Sequence, residues 1–139
     1  ILEGSGIEND NRPIGWPALL AVVYAFTGIN NKIAIYFSCF LSIMMVPLLF
    51  LFVNTIQRRT NIALWATLIF VVMPTHIFWS VSAETNMSSL FFILLFLYVS
   101  ALYYKTPDNG LLWLCMVNLT LLLHFRAENV LFIILFCQF

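Results

Sequence analysis

The 25 residues Ile33–Gln57, IAIYFSCFLSIMMVPLLFLFVNTIQ, contain no charged side chain. A helix needs about 20 mainly apolar residues to cross roughly 30 Å of hydrocarbon. A charge at the bilayer centre is expensive, so a long charge-free run reads as a membrane span. Three further runs follow, residues 60–83, 85–104 and 109–125, of which the last is marginal in length. Residues 129–139 read as a span cut short. The expected fold is therefore all-α: a polytopic transmembrane helix bundle of about four full spans and a truncated fifth, all within one domain. Pro47 and Pro74 lie inside apolar runs, where each frees a backbone carbonyl and is expected to kink its helix.

Composition points the same way. The 139-residue chain is 63% hydrophobic and 9% charged, against about 45–50% and about 25% in soluble domains. A chain of this size has too little interior to hide so much apolar surface from water. That excludes a soluble globular enzyme and also a disordered chain, which needs the opposite balance. Six basic and six acidic residues cancel, so no basic patch argues for nucleic acid. Cys39, Cys115 and Cys137 all lie in apolar runs without CxxC spacing, and read as small packing residues rather than metal ligands or disulfides. The start at Ile1 and the stop at Phe139 inside an apolar run lead to the expectation that this is an excerpt of a longer protein.

The polar breaks orient the bundle. Gln57-Arg58-Arg59-Thr60-Asn61 and Lys105-Thr106-Pro107-Asp108-Asn109-Gly110 are short loops two spans apart, both basic. The positive-inside rule places both in the cytoplasm, although Lys32 and Arg126 count against this. The N-terminal segment, the Ser80–Asn86 break and the His124–Asn129 break then face outward, in a multi-pass protein of the plasma (inner) membrane. Residues 1–32 are read as an external loop and a short interfacial helix. Arg12-Pro13-Ile14-Gly15-Trp16-Pro17 is too rich in proline and glycine for a regular helix. Pro17 suits a first helical position, with Ala18–Ile29 following. Those twelve residues reach only about 18 Å, too short to cross. Trp16 and Tyr24 suit the interface.

Residues that could carry chemistry collect on that outward side. Arg126 and Glu128, two apart, fall on opposite sides of a helix, whereas His124 and Glu128 would share a face if the helix continued. Arg126 serves either as a snorkelling boundary residue or as a guanidinium fork for a phosphate. His76, Ser80 and Glu84 follow at intervals of four; a lone His at a helix end is more often structural than catalytic. Glu84, a carboxylate beside hydrocarbon, needs a partner such as Arg12 or Arg126. The glycosylation pattern Asn86-Met87-Ser88 abuts a span and carries little weight; Asn118-Leu119-Thr120 lies within one.

The order of features goes further. Leu2-Glu3-Gly4-Ser5-Gly6, followed by Arg12-Pro13-Ile14-Gly15-Trp16-Pro17-Ala18-Leu19-Leu20, resembles a Gly-rich, Arg-Pro-containing stretch of the polytopic GT-C glycosyltransferases. The likeness is to the bacterial family-39 and dolichyl-phosphate-mannose-protein mannosyltransferase-like members. Pro74–Asn86 and Leu123–Asn129 resemble two later segments of that family, in the same order. The family's Thr-Glu reads Thr85-Asn86 here, so its carboxylate is lost or replaced by Glu84; the Arg-Pro-Glu reads Arg126-Ala127-Glu128, keeping both charges.

The resemblance implies sugar transfer from a polyprenyl-phosphate donor to a lipid or protein acceptor at the external face. A carboxylate acts as general base on the acceptor hydroxyl, and cations hold the departing lipid phosphate. The family's catalytic Asp would precede Ile1, so no catalytic residue is expected within these 139 residues, and the isolated piece is expected to be inactive. Arg12, Arg126, Glu128, Glu84 and His124 are the expected substrate- and phosphate-binding residues. No cofactor and no metal ligand are implied, and whether a metal is required stays open. The competing reading is a non-catalytic transporter or lipid-binding membrane module, for which kinked helices around a polar cavity suffice equally.

Overall fold

The computed structural model describes residues 14–82, 85–125 and 129, with the side chain of residue 31 set aside. Among the described residues the chain is helical without strands, in six helices: α1 Gly15–Thr27, α2 Asn31–Gln57, α3 Thr60–Val72, α4 Pro74–Ser80, α5 Thr85–Lys105 and α6 Asn109–Phe125. The expected all-α class is thus observed among the described residues. Two helices, α2 from Lys32 and α5, are long and apolar enough to cross a membrane, and α3 with α4 qualifies as one bent pair. Helices α1 and α6 are apolar but shorter. Large apolar side chains such as Phe40, Ile43, Trp65, Ile69, Trp113 and Val117 stand exposed, as hydrocarbon surroundings allow and water does not.

Local chemistry sets the boundaries. Asn30 caps α2 by accepting from the Lys32 N–H at 3.0 Å. Gly28 ends α1 at φ 84°, a left-handed backbone open to glycine, and its N–H returns to Tyr24 O. Asp108 accepts from the Gly110 N–H at 3.1 Å and so caps α6. Between α2 and α3 only Arg58 and Arg59 are non-helical, and Arg58 turns the chain with φ 52°.

Two expectations need correction. The first helix begins at Gly15, not Pro17, and ends before Ile29. Proline in a first turn costs nothing, because the first N–H groups of a helix have no intrahelical partner. Trp16 is buried at 6% exposure and stacks on Phe37 with centroids 6.1 Å apart, so it is a packing residue rather than an interfacial one. The kink expected at Pro74 is observed. Helix α2 runs through Pro47 as one element. At Pro74 the run 60–83 breaks into α3 and α4, bent by 60°. Met73, the residue before that proline, is extended at ψ 120°, where the proline ring pushes its neighbour out of the helical region.

Helix α2 packs mainly on α5 and α3, and α5 also packs on α6. The Lys105 ammonium donates to Thr55 O, joining the C-terminal ends of α2 and α5. These two helices therefore run parallel, with α3–α4 and α6 returning. The core has three parts. Phe96, Val99, Cys115 and Leu122 join α5 to α6. Met45, Met87 and Leu94 join α2 to α5, with Phe70 and Trp79 against them. Trp16, Leu41 and Phe125 close the end where α1 begins and α6 finishes.

Candidate functional site

Every buried polar side chain among the described residues falls in the half of the bundle nearest Gly15. They are Ser38 and Ser42 of α2, His76 of α4, Ser88 and Ser89 of α5, Asn118 of α6, and Asn129. A buried polar group in an apolar interior is costly unless it is bonded, so each partner counts. Ser42 Oγ and His76 Nε2 lie 3.0 Å apart. One turn further along α4, Ser80 O accepts from Cys39 Sγ at 3.2 Å. Residues 39 and 42 of α2 thus meet residues 80 and 76 of α4 as two rungs of one seam. The His76 ring also rests against Phe70, with centroids 4.2 Å apart.

Asn129 fastens the chain beyond α6. Its amide donates to Leu122 O at 2.7 Å and to Ser89 Oγ at 3.3 Å, so residue 129 sits over the first turns of α5. Asn118 donates to Phe92 O at 3.3 Å across the α5–α6 contact. Small hydroxyls and amides bridging helices in this way are the usual polar glue between apolar helices. Ser38 Oγ, His76 Nδ1 and Asn118 Oδ1 are buried without a partner among the described residues.

The tightest approach is backbone to backbone. A Cβ placed on Gly15 would stand 2.6 Å from the His124 carbonyl oxygen and 2.9 Å from the Phe125 nitrogen. Only glycine permits α1 to begin so close to the last turn of α6. Beside this contact, Ile14, Ala18, Val22, Phe92, Leu121 and His124 help to line a mainly apolar groove of about 510 Å³. A smaller cleft of about 210 Å³ opens where α3 breaks, between Phe70, Met73 and His76 and the start of α5 at Asn86 and Met87.

Of the expected binding residues, His124 is described: it lies in the last turn of α6, exposed, on the rim of the larger groove. Arg12, Glu84, Arg126 and Glu128 lie outside the described residues. Of His76, Ser80 and Glu84, spaced at intervals of four, His76 meets α2 through its ring, Ser80 meets it through its backbone carbonyl at the end of α4, and Glu84 lies outside the described residues. Asn86, Met87 and Ser88 lie in the first turn of α5, where the Ser88 hydroxyl returns to Thr85 O and Met87 is buried. Cys115 is buried and Cys39 half-buried, both as free thiols, whereas Cys137 lies outside the described residues. No group of three His, Cys, Asp or Glu among the described residues could hold a metal ion. Ser42 with His76 has two members of a nucleophile–base pair, but no carboxylate among the described residues orients the imidazole. As it stands, the pair satisfies two polar groups inside an apolar bundle.

Sequence reasoning missed the Ser42–His76 bond, the closeness of Gly15 to α6 and the anchoring by Asn129. A signal existed for the first. Ser38 and Ser42 are four apart on α2, the small-residue spacing at which apolar helices approach one another.

The described residues define an all-helical class carrying helices of membrane-crossing length and a polar interior at one end. Comparison with protein-family models, with curated proteins and with solved structures gave no match.

Proposed function

We propose that the chain is part of an integral membrane glycosyltransferase that moves a sugar from a polyprenyl-phosphate donor to a lipid or protein acceptor at the external membrane face. One observation carries this reading: the described parts of the three stretches that resemble GT-C segments lie at one end of the bundle. Gly15 touches the backbone of His124 and Phe125, Ser80 bonds α2, and Asn129 bonds the start of α5. Segments separated by more than a hundred residues of sequence thereby share one neighbourhood.

In this reading α2, the bent pair α3–α4, α5 and α6 all cross the membrane. Arg58, Arg59 and Lys105 stand on the cytoplasmic side. Helix α1 is held at the external end by both of its termini, through Gly15 on α6 and through the short link to α2, so it lies along the outer interface. The groove between α1 and α6 receives the polyprenyl chain, and His124 marks its polar rim. Arg126 and Arg12 hold the departing phosphate and offset its charge. A carboxylate ahead of Ile1, implied by the family resemblance, takes the proton of the acceptor hydroxyl. The acceptor oxygen bonds the anomeric carbon, the bond from that carbon to the phosphate oxygen breaks, and polyprenyl phosphate leaves.

The groove by itself also fits the second reading, a lipid-binding or transport module without chemistry, because an apolar channel needs no reaction. Photolabelling separates the two. The full-length protein, in vesicles rich in phosphatidylglycerol, is exposed to a photoreactive polyprenyl phosphate and assayed for sugar transfer in the same preparation. Labelling of residues 14–22 and 121–125 with transfer is the expected result. Labelling there without transfer favours the lipid-binding module, and labelling elsewhere removes the groove from either role.

A further inference from the structure

At the opposite end of the bundle from Gly15, the link between α2 and α3 is two residues long, and both are arginine. Arg58 and Arg59 are exposed, and neither makes an ion pair among the described residues. The other charges at that end are committed. Lys105 donates to Thr55 O, and Asp108 caps α6 through the Gly110 N–H.

Two recesses adjoin at this corner. One, of about 410 Å³, is lined by Arg59, Thr60, Asn61 and Ile62. The next, of about 360 Å³, is lined by Asn61, Leu64, Trp65 and Leu68. They share Asn61. Positions 61, 64, 65 and 68 are spaced as one face of a helix, and Trp65 is 66% exposed on it. A polar, cationic recess thus opens into an apolar strip along α3. That is the shape of a phospholipid: an anionic headgroup, then a chain.

We infer that the α2–α3 corner binds an anionic phospholipid, its phosphate on Arg58 and Arg59 and one acyl chain along Leu64, Trp65 and Leu68. Charge complementarity selects the occupant. Two uncommitted guanidinium forks match a phosphate in geometry and sign. An exposed tryptophan one turn deeper suits the interfacial layer beneath the headgroups. The inference rests on the membrane-spanning reading of α2 and α3–α4 and is independent of sugar transfer.

The test is lipid retention by the full chain. The protein is extracted from vesicles of equal phosphatidylcholine and phosphatidylglycerol, and bound lipid is weighed by native mass spectrometry. Wild type is expected to retain phosphatidylglycerol over phosphatidylcholine. The R58Q/R59Q variant should lose roughly thirtyfold of that preference, from two cations near the surface. R58K/R59K, which keeps the charge, should retain most of it and shows that the corner still folds. K105Q should leave the preference unchanged. Equal retention of the two lipids by wild type overturns the inference. An unchanged preference in R58Q/R59Q, or an equal loss in K105Q, does so too.

Discussion

At the Gly15 end of the bundle polar groups turn inward. Ser42 meets His76, Asn129 meets Ser89, and α1 closes on the carbonyl of His124 through a glycine. At the other end Arg58 and Arg59 stand exposed in a two-residue corner, and the one neighbouring acid caps a helix. Both ends contain short links between apolar helices, yet among the described residues only one end carries polar side chains into the packed interior. In hydrocarbon such groups are expensive and persist where they bind helices together or serve a substrate. Exposed cations orient a bundle and meet headgroups at little cost. In the proposed function the first end carries the chemistry and the second the anchoring.

The largest expected structural effect lies at the close approach. Gly15→Leu places a side chain where the His124 carbonyl sits, so α1 must lift from α6. Overpacking of this kind costs about 1–3 kcal/mol or more. It should appear as a lower melting temperature and a shifted tryptophan emission as Trp16 is uncovered; an unchanged melt would mean that the two helices do not touch. A smaller effect is expected across the α2–α4 seam. In a double-mutant cycle of Ser42→Ala and His76→Ala, the coupling energy should be about 0.6 kcal/mol and below about 1.7 kcal/mol, the average and the maximum for hydrogen bonds between membrane helices. Strict additivity would remove the inward bond from the comparison. The smallest effect belongs to the opposite end. K105Q loses one exposed bond to Thr55 O and should change stability by no more than about 0.5 kcal/mol. A larger loss would show that this end is also held from within.

Much of this contrast was legible before any coordinates. Charges and turn residues bound the apolar runs, so Gln57, Thr85 and Asn109, where the charge-free runs begin or end, are also helix boundaries. Burial was not legible, for a physical reason. Lipid is as apolar as a protein core, so an apolar face gives no sign of whether it meets a neighbouring helix or hydrocarbon. Trp16 reads equally well as an interfacial ring or a packed one, and only tertiary structure places it against Phe37 and Phe125. Pro47 and Pro74 are indistinguishable by local context, yet one lies within a continuous helix and the other opens a break of 60°. The Ser42–His76 bond joins residues 34 apart in sequence, beyond the reach of helical periodicity. Of the expected binding residues, the structure describes His124 and places it on the groove's rim, a position that sequence order alone did not supply.

The division of labour between the two ends is tested most directly by sugar transfer from a polyprenyl-phosphate donor, measured on the full-length protein in vesicles. Arg126→Ala is expected to reduce turnover by about 100-fold or more, the scale of losing one group that offsets developing charge. R58Q/R59Q, normalised for the amount correctly inserted, is expected to stay within about threefold of wild type. Turnover that survives Arg126→Ala, or that collapses in R58Q/R59Q, would contradict the assignment of chemistry to the Gly15 end.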